Sequence, residues 1–259
     1  MKLYLVYFSP THTTKKIVAT VGKVFFERLL CRAQLVDLTN IAARSRAYAF
    51  EEDDVVVFGA PVYGGRLPQL LVPVLQNMQG GGARAVVLSV YGNRDYDDAL
   101  LETADLFAER GFRVCAAAAF IGEHSYSAAV AKNRPDAEDL IAATTFGVAA
   151  FANVEQGVAC RKPVRGARPY KQLSGFMLAP KAAPAVDAEK CVRCGACIAA
   201  CPVANIGADL SDQGRCISCA ACVKFCRQGV RSFTDSAVLA AKGRLEGSCT
   251  ARRQPEFFI

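Results

Sequence analysis

The 259-residue chain contains no tryptophan, so any ring stacking on a bound ligand must come from Tyr or Phe. It also lacks an apolar run near the ~20 residues needed to cross a bilayer. The longest runs, Val114–Gly122 and Ile141–Ala152, fall well short. Residues 2–8 pass from Met1 straight into a strand pattern, with no small-residue cleavage site behind a charged start, so the expected location is cytoplasmic. Acid is absent from residues 156–186, which carry six Lys/Arg, whereas residues 1–155 carry 15 Lys/Arg against 17 Asp/Glu. The net charge of +7 thus gathers in one segment rather than over a folded face, which speaks against a nucleic-acid-binding domain. Cysteine is in excess: of twelve, eight lie between Cys191 and Cys226. Cytosolic thiols stay reduced, so such a cluster suggests metal rather than disulfides.

Residues 1–155 alternate short apolar runs with helical patterns. Strands are expected at Leu3–Phe8, Gln34–Leu38, Val55–Ala60, Ala85–Tyr91 and Phe112–Ile121, and helices at Thr14–Leu30, Pro68–Met78, Tyr96–Arg110 and Asp136–Asn153. Continuous apolar strands between amphipathic helices predict an α/β fold, a doubly wound five-stranded parallel sheet covered on both faces. Residues 156–185 form a basic Pro/Gly-rich linker. A second, smaller α+β module spans 186–235. Residues 236–259 are a tail, expected to be poorly ordered apart from a short helix at Ala237–Ala241.

Residues 191–202 read CVRCGACIAACP and residues 216–226 read CISCAACVKFC. Both follow C-x2-C-x2-C-x3-C, and each cysteine of the second set lies 25 positions after its counterpart. Three thiolates two residues apart can wrap three corners of an iron–sulfur cube, while the fourth, after a short helical step, points elsewhere. Structural zinc is the alternative, but zinc favours two separated C-x2-C pairs. Cys31 and Cys115 read as small core residues, and Cys160 and Cys249 lie in segments expected to be exposed.

The stretch 186–234 resembles bacterial-type two-cluster ferredoxins. The resemblance implies two 4Fe-4S clusters with crossed ligands, the first held by Cys191, Cys194, Cys197 and Cys226 and the second by Cys216, Cys219, Cys222 and Cys201. Pro202 follows the first motif, but Arg227 stands after the second where proline is usual.

In doubly wound folds, ligands bind beyond the carboxyl ends of the strands at a topological switch point. The loops to examine are therefore Ser9–Thr14 (SPTHTT), Pro61–Leu67 (PVYGGRL) and Gly92–Asp97 (GNRDYD). Ser9, Thr11, Thr13 and Thr14 put four hydroxyls before a helix N-terminus, a phosphate-binding construction that exceeds the single hydroxyl of simple N-capping. Here the chain resembles flavodoxins, whose FMN phosphate sits in a T-x-T-G-x-T loop; the matching positions are Ser9, Thr11, His12 and Thr14, with His12 where that pattern has Gly. The resemblance implies FMN, with Tyr63 and Tyr91 stacking on the ring. Gly64, Gly65 and Gly92 would give close backbone approach, Pro61 and Val62 would belong to the same cofactor site, and Asn93, Tyr96 and Asp97 would lie at the pyrimidine edge. Arg66 and Arg94 are either charges tuning the flavin or solvated surface. The segment GEHSYS carries His124, either a strand-end loop or a proton entry point.

The whole order, with GEHSYS and RPDAEDL, is similar to flavodoxin–ferredoxin fusion proteins of anaerobic bacteria, the EFR-type ferredoxin family. That likeness implies electron transfer between FMN and two 4Fe-4S clusters, joining two-electron flavin chemistry to one-electron traffic. Two alternatives stay open, a flavin-dependent reductase of a small acceptor and a redox-sensing interaction protein. Unidentified redox proteins are the expected partners. The basic linker is either a docking surface for an acidic one or a strap holding the domains.

Overall fold

The computed structural model describes residues 1–179 and 183–259. Residues 180–182 of the linker, including the positive charge of Lys181, lie outside the described residues. The N-terminal part runs β1 (Leu3–Tyr7), α1 (Thr13–Leu29), β2 (Ala33–Asp37), α2 (Ile41–Arg44), β3 (Val55–Pro61), a 3-10 turn leading into α3 (Val72–Gln76), β4 (Arg84–Tyr91), α4 (Ala99–Glu109), β5 (Arg113–Ile121) and α5 (Ala137–Glu155). Then follow α6 (Gly175–Leu178), β6 (Ala185–Val186), α7 (Ala196–Ala199), α8 (Ala221–Lys224), β7 (Arg231–Ser232), α9 (Ser236–Ser248) and β8 (Glu256–Phe258).

The large sheet has the order β2-β1-β3-β4-β5-β8, with β1 to β5 all parallel. This is the flavodoxin-like order, whose switch point lies between β1 and β3. The strands alternate sides because both faces are covered: Val57, Leu88, Ala118 and Phe120 pack into one apolar layer under α1 and α5, and Phe58, Val87, Ala117 and Ala119 into the other under α4. Hence the strands read as uninterrupted apolar runs.

Two expectations change. The helix expected over Pro68–Met78 is broken into a 3-10 turn, Gln69–Leu71, and the short α3. The tail is ordered, with α9 running the full Ser236–Ser248 and β8 adding a sixth, antiparallel strand along β5. The alanine run of β5 explains this docking: β8 pairs with Ala117–Ala119, Phe258 enters one core layer, and Phe257 meets Phe120 and Phe146 at ring distances of 5.7 and 5.2 Å.

The linker behaves as a strap. Arg168 pairs with Asp105 at 2.5 Å, Lys171 with Asp97 at 3.0 Å, and Arg165 with Asp95. Asp98 accepts from the backbone N–H groups of Ala167 (2.8 Å) and Lys171 (2.6 Å), stapling the linker to the start of α4. The charges of Arg165, Arg168 and Lys171 are thus paired within the chain.

In the small module the duplication extends to the backbone. Arg193 and Ser218 share φ of 52° and 53°, Gly195 and Ala220 share 74° and 61°, and each of the latter caps the N-terminus of α7 or α8. Arg44 donates to the Pro202 carbonyl, Lys224 pairs with Glu123 at 2.9 Å, and Ser127 donates to Glu246 at 2.6 Å, joining module and tail to the large domain. Among the described residues, no helix is long and apolar enough to cross a membrane.

Candidate functional site

A cavity opens where β1, β3, β4 and β5 end. Ser9, Thr11, Thr13 and Thr14 line it with Pro61, Val62, Tyr63, Gly64, Tyr91 and Gly92, the predicted loops converging at the switch point. The Ser9 hydroxyl accepts from the Lys15 backbone N–H at 2.9 Å, capping α1, whose first turn holds no acid. Thr14 is 1% exposed, yet its Oγ1 has no hydrogen-bond partner. Buried polar atoms are rarely left so. A hydroxyl orphaned at a helix N-terminus in a cavity fits an anionic group such as a phosphate. Gly92 is required by close approach: a Cβ there would lie 2.5 Å from His124 Cδ2.

Four predicted cavity residues are placed elsewhere. His12 takes the left-handed conformation (φ 67°) that its place in the loop demands, but its ring lies against Phe225 of the small module at 4.7 Å rather than in the cavity. Asn93 is buried and donates to the carbonyls of Cys249 (2.9 Å) and Ala251 (2.8 Å). Tyr96 is fully buried, donates to Glu256 at 2.6 Å and lies under Arg165. Asp97 pairs with Arg94 and Lys171. The small module, the tail and the linker capture these side chains, a tertiary effect that no local pattern encodes. Nor does Arg66 line the cavity. It forks onto Glu102 at 2.8 and 2.6 Å beneath the Tyr170 ring.

The fifth strand's loop supplies further cavity residues that the sequence reading assigned no flavin contact: Gly122, Glu123, His124, Ser125 and Tyr126. The strand-end rule, applied to β5 as well, would have found them. His124 Nδ1 accepts from the Tyr126 backbone N–H at 3.1 Å, which fixes the neutral tautomer with hydrogen on Nε2. Burial, reinforced by the charge of Arg94, holds the imidazole down at about 4. At pH 7 the imidazole is therefore neutral, with its hydrogen on Nε2. The unfolded imidazole takes up a proton near pH 6.5 that the folded one refuses, so stability is full above that pH and falls as pH drops toward 4. Comparing unfolding midpoints at pH 7 and pH 5, His124→Gln is expected to reduce the acid-side loss by on the order of 2 kcal/mol. Identical losses in both proteins would remove this account of the imidazole.

The cysteines surround two smaller voids. Cys191, Cys194, Cys197 and Cys226 line one, and Cys201, Cys216, Cys219 and Cys222 line the other. Backbone N–H groups reach the sulfurs, Asn205 to Cys201 at 3.2 Å and Ser218 to Cys216 at 3.3 Å, the kind of contact that stabilises anionic sulfur. Burial pushes the Cys219 thiol up to about 12 and the Cys222 thiol to about 11, the Arg231 charge opposing the rise at Cys222. A bare thiolate is thus disfavoured there and needs a positive partner such as iron. Donor type and grouping fit 4Fe-4S clusters.

Ile217 and Cys219 line both the second cysteine void and the large cavity, and Ser218 lines the large cavity beside them. Met177 of α6 closes the same wall. None of these four was predicted as a cavity residue, because the docking of one module on the other leaves no local signature.

Family models described as 4Fe-4S binding domains match residues 184–206 and 213–229. Among solved structures, a flavodoxin from the domain Archaea is 16% identical, covering 60% of this chain and 99% of that one at a TM-score of 0.37. Flavodoxin 2 from Bacillus cereus is 17% identical over 59% and 98% at 0.43, and the Streptococcus pneumonia TIGR4 flavodoxin 16% identical over 61% and 100% at 0.39. No curated protein matches the chain. The chain is a fusion of a flavodoxin-like α/β domain, defined by its own strand order, with a C-terminal 4Fe-4S binding module for two clusters.

Proposed function

We propose that this chain is an electron-transfer protein that holds FMN in the large cavity and couples it to two 4Fe-4S clusters, the nearer one ligated by Cys201, Cys216, Cys219 and Cys222 and the farther by Cys191, Cys194, Cys197 and Cys226. The shared wall of Ile217, Ser218 and Cys219 carries this reading: one backbone turn faces both compartments. When bound, FMN takes up one or two electrons, whereas each cluster exchanges one. The residues serve this in distinct ways. Thr14 and the α1 N-terminus bind the phosphate, Tyr63 and Tyr91 offer ring faces, and Gly92 allows His124 to stand against the loop. Tyr63, Tyr126 and Met177 exclude water from the wall. Cys194 is exposed, so the outer void lies toward solvent, where a partner protein can exchange electrons.

Anaerobic purification followed by flavin extraction tests the cofactor assignment, with FMN expected alongside iron and sulfide. Iron-loaded protein that fails to bind added FMN would refute it. Thr14→Val is expected to weaken FMN binding roughly 10- to 100-fold, the loss of a hydrogen bond to a charged group, while leaving the affinity for phosphate-free riboflavin unchanged. Calorimetric titration of flavin-free protein with both ligands checks this; equal losses for the two would mean that Thr14 does not meet the phosphate.

A further inference from the structure

Arg231 is 4% exposed, and among the described residues no Asp or Glu forms an ion pair with it. Its backbone is fixed by the pairing of β7 with β6, Val186 opposite Arg231. Nη1 donates to the Pro184 carbonyl at 2.9 Å, and Nη2 to the Leu210 carbonyl at 3.5 Å and the Cys197 sulfur at 3.7 Å. Nε is buried without a partner. Burying a guanidinium away from a counter-charge is strongly unfavourable. The other deeply buried arginine shows the usual solution, since Arg134 forks onto the Asp139 carboxylate. Arg231 has only neutral carbonyls and a cysteine sulfur. It lines the void of Cys191, Cys194, Cys197 and Cys226, and the charge of Asp212 reaches it only through space, with no ion pair between them.

We infer that Arg231 is the internal counter-ion of the cluster module: the anionic, thiolate-held cluster in the outer void supplies its missing negative charge, and Arg231 in turn sets that cluster's reduction potential. This rests on the two-cluster reading above. Reduction adds one electron, and so one negative charge, to a cluster that is already anionic. A fixed cation in a low-dielectric interior stabilises the reduced form more than the oxidised form, so the potential rises. The N–H to sulfur contact acts in the same direction. The charge of Arg231 also reaches Cys222 of the inner void, but its direct contact is with Cys197, so the outer cluster is shifted more and becomes the better resting place for an electron bound for an outside partner.

A purely structural role, tying Pro184 to Leu210, is the competing explanation, and the charge series separates the two. Wild type, Arg231→Lys and Arg231→Met are purified anaerobically, assayed for iron and acid-labile sulfide, and titrated potentiometrically with EPR detection of each cluster. The expected result is a lowered midpoint for one cluster in Arg231→Met, at least a tenfold change in its oxidised-to-reduced ratio at fixed potential, which is 59 mV for one electron. The other cluster should move less, and Arg231→Lys should stay within half that change of wild type. Fully loaded Arg231→Met with unchanged midpoints would overturn the inference, as would fully loaded Arg231→Lys shifted as far as Arg231→Met. If Arg231→Met loses iron, Arg231→Gln takes its place under the same criteria. If neither neutral variant holds iron, a loaded Arg231→Lys with near-wild-type midpoints supports the counter-ion role, and a loaded Arg231→Lys lowered tenfold or more refutes it. Wild-type protein without iron and sulfide would instead sink the two-cluster reading itself.

Discussion

Replacing Cys219 with alanine is expected to remove about half of the bound iron and sulfide, one of two four-iron clusters, while FMN content stays at the wild-type level. Cys219 is the proposed cluster ligand that also lines the flavin cavity. Loss of a direct ligand should exceed the roughly 10- to 100-fold drop in affinity typical of residues surrounding a metal site. The functional consequence should be a near-complete loss of electron exchange between flavin and the remaining cluster. Cys194→Ala makes the contrast. Cys194 is exposed in the outer void, so this variant should keep exchange between flavin and the inner cluster while losing reduction of outside acceptors. If Cys219→Ala and Cys194→Ala had the same effect on internal exchange, the order of the two voids relative to the flavin cavity would be wrong.

The largest effect on stability is expected at the buried pair under the fifth-strand loop. Arg134 is 5% exposed and Asp139 1%, and Nε donates to the carboxylate at 2.8 Å. Asp139 also completes the capping box that starts α5, and the Arg134 backbone carbonyl accepts from Glu123 beside the cavity. Removing one partner leaves an uncompensated buried charge, so Asp139→Ala should destabilise by about 3–5 kcal/mol. The double variant Arg134→Met/Asp139→Leu should recover much of that loss, because no lone charge remains. Denaturant unfolding of the cofactor-loaded proteins measures both. A single-variant loss under about 1 kcal/mol would show that the pair is not energetically closed off from water.

The five parallel strands were legible because each is covered on both faces, and such strands spell out as apolar runs such as Val55–Ala60. The cysteine module was legible because ligand spacing is written in the chain, and the two voids group the cysteines as the crossed ligation implies. Strand β8 was not. Three residues, Glu256–Phe258, carry no pattern of their own and become a strand only because the small side chains of β5 leave an edge on which Phe257 and Phe258 can pack. The same distinction runs through the site. Loop positions followed from strand ends, so Ser9, Thr14, Tyr63 and Tyr91 fell at the cavity. Side-chain direction did not, since His12 answers to Phe225 and Asn93 to the tail, both remote in sequence.

One wall shared by flavin and clusters should make their electron exchange intramolecular. Rapid anaerobic mixing of the fully loaded, oxidised protein with less than one equivalent of a one-electron reductant tests it most directly, with flavin absorbance and cluster EPR followed in time over a tenfold range of protein concentration. Electrons are expected to redistribute between flavin and clusters at a rate independent of concentration. A rate rising in proportion to concentration would mean that the exchange runs between molecules, and would contradict it.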